Sequence, residues 1–230
     1  MGEGYEPLVD LAFELDDAEA NRNELWQASD GIIDDATIRL LRRENRVGIA
    51  RGTPTPVDSP AVPPGRSVVD IPLLFALQAH PECVYNWARI VVDLSSTQDA
   101  IIADMSPRDV SDVPVEVETG IGLEVSLSLI TKVVDIGAKP ELSRKRTVFF
   151  PTVTATGTGF RKAYWDFYAK AGDYLHADKE LHLLISAPSA VPVTATFTIR
   201  AKIRFRGLAR LIPLLCRTGG VDAPAPVQLA

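Results

Sequence analysis

The chain has 230 residues, 46% hydrophobic and 23% charged, an ordinary globular composition. At this length it buries enough surface to hold a core without disulfide or metal. Its net charge of -6 divides into -11 over residues 1–115 and +5 over 116–230, the split of either an acidic arm packing on a basic body or a basic face kept for an anionic partner. Cys83 and Cys216 lie far apart without a CxxC motif, which excludes a disulfide scaffold, and no uncharged apolar run reaches the roughly 18 residues of a membrane helix.

In chain order, residues 1–51 read as an acidic N-terminal segment packing on the body. The opening residues are acidic and lack the apolar run of a secretory signal. Within the segment, Val9, Leu11, Phe13 and Leu15 alternate with Asp10, Ala12, Glu14 and Asp16, a strand pattern. Thr37 to Glu44 reads as a short helix. Residues 52–66 form a Pro-rich loop, with five prolines in the fourteen residues from Gly52 to Gly65. That composition predicts an extended segment without regular hydrogen bonding.

Residues 67–215 read as a β-sandwich body. Strands are expected over Val68–Leu77, with Pro72 marking an edge or bulge, and over Tyr85–Leu94 and Ala100–Ala103. Val113–Thr119 and Leu123–Leu129 alternate apolar with polar residues. Arg146–Thr156, Ala163–Ala169, Leu181–Ser186 and Val193–Arg206 complete the set. Repeated strands without intervening helices predict a mainly β fold. The expected architecture is an antiparallel β-sandwich, jelly-roll-like or similar, with a short N-terminal appendage. Residues 216–230 read as a flexible tail.

Two constellations stand out. In Thr194–Arg206, strand parity puts Ala195, Phe197, Ile199, Ala201, Ile203 and Phe205 on a core face and Arg200, Lys202, Arg204 and Arg206 in a basic row on the other. The row reads either as an anion- or partner-binding stripe, with Arg161 and Lys162 and further cations extending it, or as an outer face paired with acids such as Glu116 and Glu118. In the aromatic segment Tyr164–Tyr168, Trp165 and Phe167 are core anchors. Tyr164 and Tyr168, on the face of Asp166, are candidates for stacking on a ligand.

No metal set is complete around His80, Cys83, His176 or His182, no catalytic residue is assigned, and no cofactor motif occurs. The leading expectation is therefore a cytoplasmic, bacterial, non-enzymatic binding module. Its partner is another protein or, less favoured, an anionic lipid surface or nucleic acid, docked through the basic strand face. Two other readings stand beside it. One is a sandwich-fold hydrolase acting on a glycan through carboxylates such as Glu116, Glu118 and Glu124. The other is a membrane-active β protein that engages lipid through amphipathic strands and the segment Leu208–Leu215.

Overall fold

The computed structural model describes the backbone of residues 4–16, 44–58, 62–119, 125–129, 144–169, 175, 178–205, 211–220 and 224–230, and the side chains of these except 109, 111–152 and 178. The expected helix Thr37–Glu44 falls, apart from Glu44, outside the described residues.

The strands are β1 (Glu6–Ala12), β2 (Glu14–Leu15), β3 (Arg46–Arg51), β4 (Thr55–Pro56), β5 (Arg66–Gln78), β6 (Cys83–Asp93), β7 (Ile101–Ser106), β8 (Asp109–Thr119), β9 (Val125–Leu129), β10 (Arg144–Thr156), β11 (Lys162–Tyr168), β12 (Asp178–Pro188), β13 (Thr194–Phe205), β14 (Ile212–Arg217) and β15 (Val227–Gln228). All described pairings are antiparallel. One sheet has the order β1-β3-β5-β12-β7, with β4 also on β5. The other runs β2-β14-β13-β6-β11-β10-β8-β9, with β15 also on β13. The mainly β, two-sheet, sandwich-like fold expected from the alternation is the one observed.

The core lies between the sheets because each strand spends alternate residues on it. Ile71, Leu73 and Phe75 of β5 and Leu181, Leu183 and Ile185 of β12 meet Ala88, Ile90 and Val92 of β6 and Phe197, Ile199 and Ala201 of β13 in one buried cluster. Phe75 stacks on Phe167 across it, with ring centroids 5.1 Å apart. Ile90 is 1% exposed on a strand paired on both sides. Ile90→Ala is expected to cost about 2–5 kcal/mol in a denaturant melt, through lost transfer energy and a residual cavity; a cost under about 0.5 kcal/mol would mean that the site collapses freely.

Three expectations are corrected. The N-terminal segment is no appendage: β1 and β3 are strands of one sheet and β2 of the other. The Pro-rich loop is not free of regular bonds, since β4 pairs with Asp70 and Val69, and the Val57 amide donates to the Val68 carbonyl. The tail is not loose in its described part: β15 pairs with β13, Leu229 is fully buried, and Arg51 donates to the carbonyls of Gln228 and Leu229.

Pro72 sits inside β5 rather than at an edge. Its carbonyl accepts from the Gly52 amide, so its nitrogen points to the same side, where the ladder is interrupted between the last β3 pair, Arg51 with Leu73, and the first β4 pair, Thr55 with Asp70. A missing donor there removes no bond to β12.

Candidate functional site

The parity expected for β13 holds. Ala195, Phe197, Ile199, Ala201 and Ile203 are buried, while Arg200, Lys202 and Arg204 are half-buried on the opposite face. Arg206 lies outside the described residues. The neighbours of β13 are β6 and β14. Glu116 and Glu118, the acids expected to face the row, stand on β8, four strands away.

Other groups engage Arg200 and Lys202 of the row and the flanking Arg161 and Lys162. Arg200 Nε lies 3.5 Å from the buried Asp16 carboxylate. Lys202 Nζ stands 5.5 Å from the centroid of the Trp87 ring, within cation–π range. Arg161 donates to the Thr97 carbonyl, and Lys162 pairs with Asp93 at 2.8 Å. Burial works against ionisation of Asp93, but hydrogen bonds from Lys162 and Ser95 outweigh it and hold its carboxyl below the usual carboxylate range. A depressed folded pKa contributes stability that is present above the unfolded value and lost as pH falls through the folded one. Melting temperature is therefore expected to fall on acidification below about pH 4, less steeply in Asp93→Asn; identical slopes would remove Asp93 from the account.

The most tightly organised polar cluster is one that the sequence reading missed. Asp166, 3% exposed, accepts two hydrogen bonds from Arg89, both at 2.7 Å, and one from the Trp87 indole at 3.1 Å. Arg89 lies 4.3 Å from the Tyr164 ring centroid and 5.5 Å from that of Trp87. The hydrogen bonds that Arg89 donates to Asp166 raise its pKa above its already high ordinary value. Tyr164 is thus occupied by Arg89. Tyr168 is exposed, and Trp165 and Phe167 are buried as expected.

A bulge aims this cluster. Lys202 is opposite Trp87, but Ile203 is opposite Tyr85, so Asn86 is the extra residue. Tyr85 and Trp87, alike in parity, are thereby sent to different faces. Tyr85 is buried against Phe13, and Trp87 stays on the outer face with Arg89.

Among the described residues no group of three or more His, Cys, Asp or Glu side chains is arranged to hold a metal. His80 Nδ1 accepts from the Glu82 amide, and Cys83 Sγ accepts from Asn45. Burial raises the Cys83 thiol and pushes Cys216 up to about 12.

The second candidate region is the far end of the larger sheet. β8 pairs with β9 and β10, and β10 pairs with β11 only from Val153 to Thr156. Residues 144–152 of β10 therefore form, with β8 and β9, a three-stranded ribbon. Val115, Val117 and Thr119 stand opposite Leu129, Leu127 and Val125, and Glu116 and Glu118 stand opposite Ser128 and Ser126. On β10, Val148 is opposite Val115, Lys145 opposite Glu118, and Arg146 and Arg144 opposite Val117 and Thr119. The other segment considered for lipid, Leu208–Leu215, is described only from Leu211: Leu211 is exposed, but residues 212–215 are buried within β14.

The class defined so far is a two-sheet antiparallel β-sandwich whose larger sheet runs on into a ribbon. No family model matches the chain, and no curated protein sequence does. Among solved structures it is similar to Clostridium perfringens delta-toxin (11% identity, TM-score 0.35, 69% of this chain and 74% of that one). It is also similar to a pore forming protein (10%, TM-score 0.31, 81% and 85%) and to the Clostridium perfringens NetB toxin in its membrane inserted form (9%, TM-score 0.28, 80% and 88%).

The expectation of a cytoplasmic module that docks a protein or an anionic surface through the basic strand is corrected. None of these neighbours is named as such a module; they are toxins and a pore-forming protein. The physical reason lies in the row itself, whose described cations other than Arg204 are engaged by Asp16, Trp87, Thr97 and Asp93 inside the fold.

Proposed function

We propose that this chain is a membrane-active β protein whose three-stranded ribbon meets lipid. The observation that carries the reading is the register of β8 and β9, in which Val115 and Val117 stand opposite Leu129 and Leu127, and Glu116 and Glu118 opposite Ser128 and Ser126. In a strand pair, residues two apart share a face, so the hairpin has one aliphatic side and one polar side, the dyad pattern of strands that separate lipid from water.

The basic residues Arg144 and Arg146 stand at the distal end of the β8–β10 pairing, the position from which long cationic side chains reach water beside an apolar surface. A ribbon has two open edges, whose unpaired amides and carbonyls are too costly to expose to hydrocarbon. Insertion therefore requires closure against ribbons of further copies of the chain.

The test is release of an encapsulated dye from vesicles of phosphatidylcholine, with and without phosphatidylserine. The reading expects release by the full chain and recovery of an oligomer from the vesicles. No release from either composition, with the far-ultraviolet spectrum intact, would overturn it.

A further inference from the structure

The register of β8 and β10 contains a joint. Above it Phe149 is opposite Pro114; below it Val153 is opposite Val110. Between them Pro151 is opposite Ser111. From Phe149 to Pro151, β8 advances three residues against two on β10; from Pro151 to Val153 it advances one against two. The two irregularities are opposite in sense and cancel, so the ribbon leaves the joint in the register with which it entered.

Three further facts coincide there. Pro151 lies at the slipped pair and Pro114 at the pair next to it, and neither has an amide hydrogen to give to a ladder. The pairing of β10 with β11 begins at Val153, so the joint stands where the ribbon loses its third neighbour. On the body side, both carboxylate oxygens of Asp166 are committed to Arg89 and Trp87 of β6, which staples β11 to the sandwich.

We infer that residues 111–114 and 150–152 are a built-in hinge, about which the ribbon turns as a unit while Val153–Thr156 stay anchored to β11. This deepens the membrane reading and rests on it. Bulges bend and twist strands locally, and hinges are short stretches that absorb a backbone change so that the elements on either side need not. Compensating slips suit that task, because the apolar and polar faces of the ribbon keep their alternation through the bend; a single uncompensated slip would exchange them.

The experiment uses spin labels on the full chain at Ser128→Cys in the ribbon and Lys179→Cys on β12, since Cys83 and Cys216 are buried. The distance between labels is measured by dipolar spectroscopy in solution and on phosphatidylcholine vesicles. The hinge expects a changed distance on vesicles. It expects Pro114→Val with Pro151→Val to keep vesicle binding and melting temperature, to hold the distance near its solution value, and to slow dye release by about tenfold, because each restored ladder bond adds to the barrier. Pro151→Val alone serves if the double variant misfolds, with a smaller effect in the same direction.

Release by the unsubstituted chain without a change in distance, or a variant that matches it in both readouts, would overturn the hinge and leave the membrane reading standing. Failure of the unsubstituted chain to engage vesicles at all would remove both.

Discussion

Leu129→Lys is expected to abolish dye release while leaving the melting temperature of the sandwich unchanged. Leu129 stands opposite Val115, itself opposite Val148, in the aliphatic set of the ribbon, and the ribbon meets the rest of the larger sheet through β10, which pairs with β11, and through the start of β8. A basic residue on the lipid side of a spanning strand costs about 2–4 kcal/mol near the midplane, or roughly 30- to 1,000-fold per chain, and copies that assemble multiply the penalty. Ser128→Lys, one residue back and in the polar set, opposite Glu116, is the matched control and is expected to retain release. Equal losses from the two substitutions would show that charge, not its side of the strand, is what matters.

Asp166→Ala is expected to be the most damaging polar substitution among the described residues. It removes three hydrogen bonds and leaves the Arg89 guanidinium and the Trp87 indole without their acceptor. Removing one partner of a buried pair typically costs about 3–5 kcal/mol. Arg89 keeps a path to water, its side chain being 36% exposed, so the low end applies, about 3 kcal/mol. In a chain of this size that is a fall of about 6–12 °C in Tm. Asp166→Asn keeps one acceptor and should fall between. A loss below about 1 kcal/mol would mean that water replaces the carboxylate at little cost.

The fold was legible where one face of a strand is buried and the other is wet. β6, β11 and β13 have that pattern, and each was expected within a few residues of its place. β14 was missed because Ile212 to Cys216 is buried throughout: such a run shows no alternation, and Pro213 argued against a strand. β3 was missed because Arg46–Arg51 is six residues long with Gly48 in its middle, too short to establish a period.

The site was less legible, and for a different reason. Parity assigns a residue to a face, but strand order decides its neighbours. The cations of β13 were readable as a row; that β6 and β14 flank it, and β8 does not, is a long-range property of the fold. Likewise Arg89 and Asp166 are separated by 77 positions, and only the pairing of β6 with β11 brings them opposite. The bulge at Asn86 has no signal in the sequence short of the register itself. The ribbon was half visible. Its alternation was plain in Val113–Thr119 and Leu123–Leu129, whereas its attachment through four pairs of β10 with β11 and the paired slips around Pro151 emerge only from the ladder.

The central claim, that the aliphatic side of the ribbon enters lipid, is tested most directly by an environment-sensitive fluorophore placed in turn at Leu127→Cys and Ser128→Cys. On phosphatidylcholine vesicles the account predicts a blue-shifted emission at position 127 that lipid-borne quenchers reduce, and an emission at position 128 that stays close to its value in water. Unshifted emission at position 127 in vesicle-bound, folded protein, or the same shift at both positions, would contradict it.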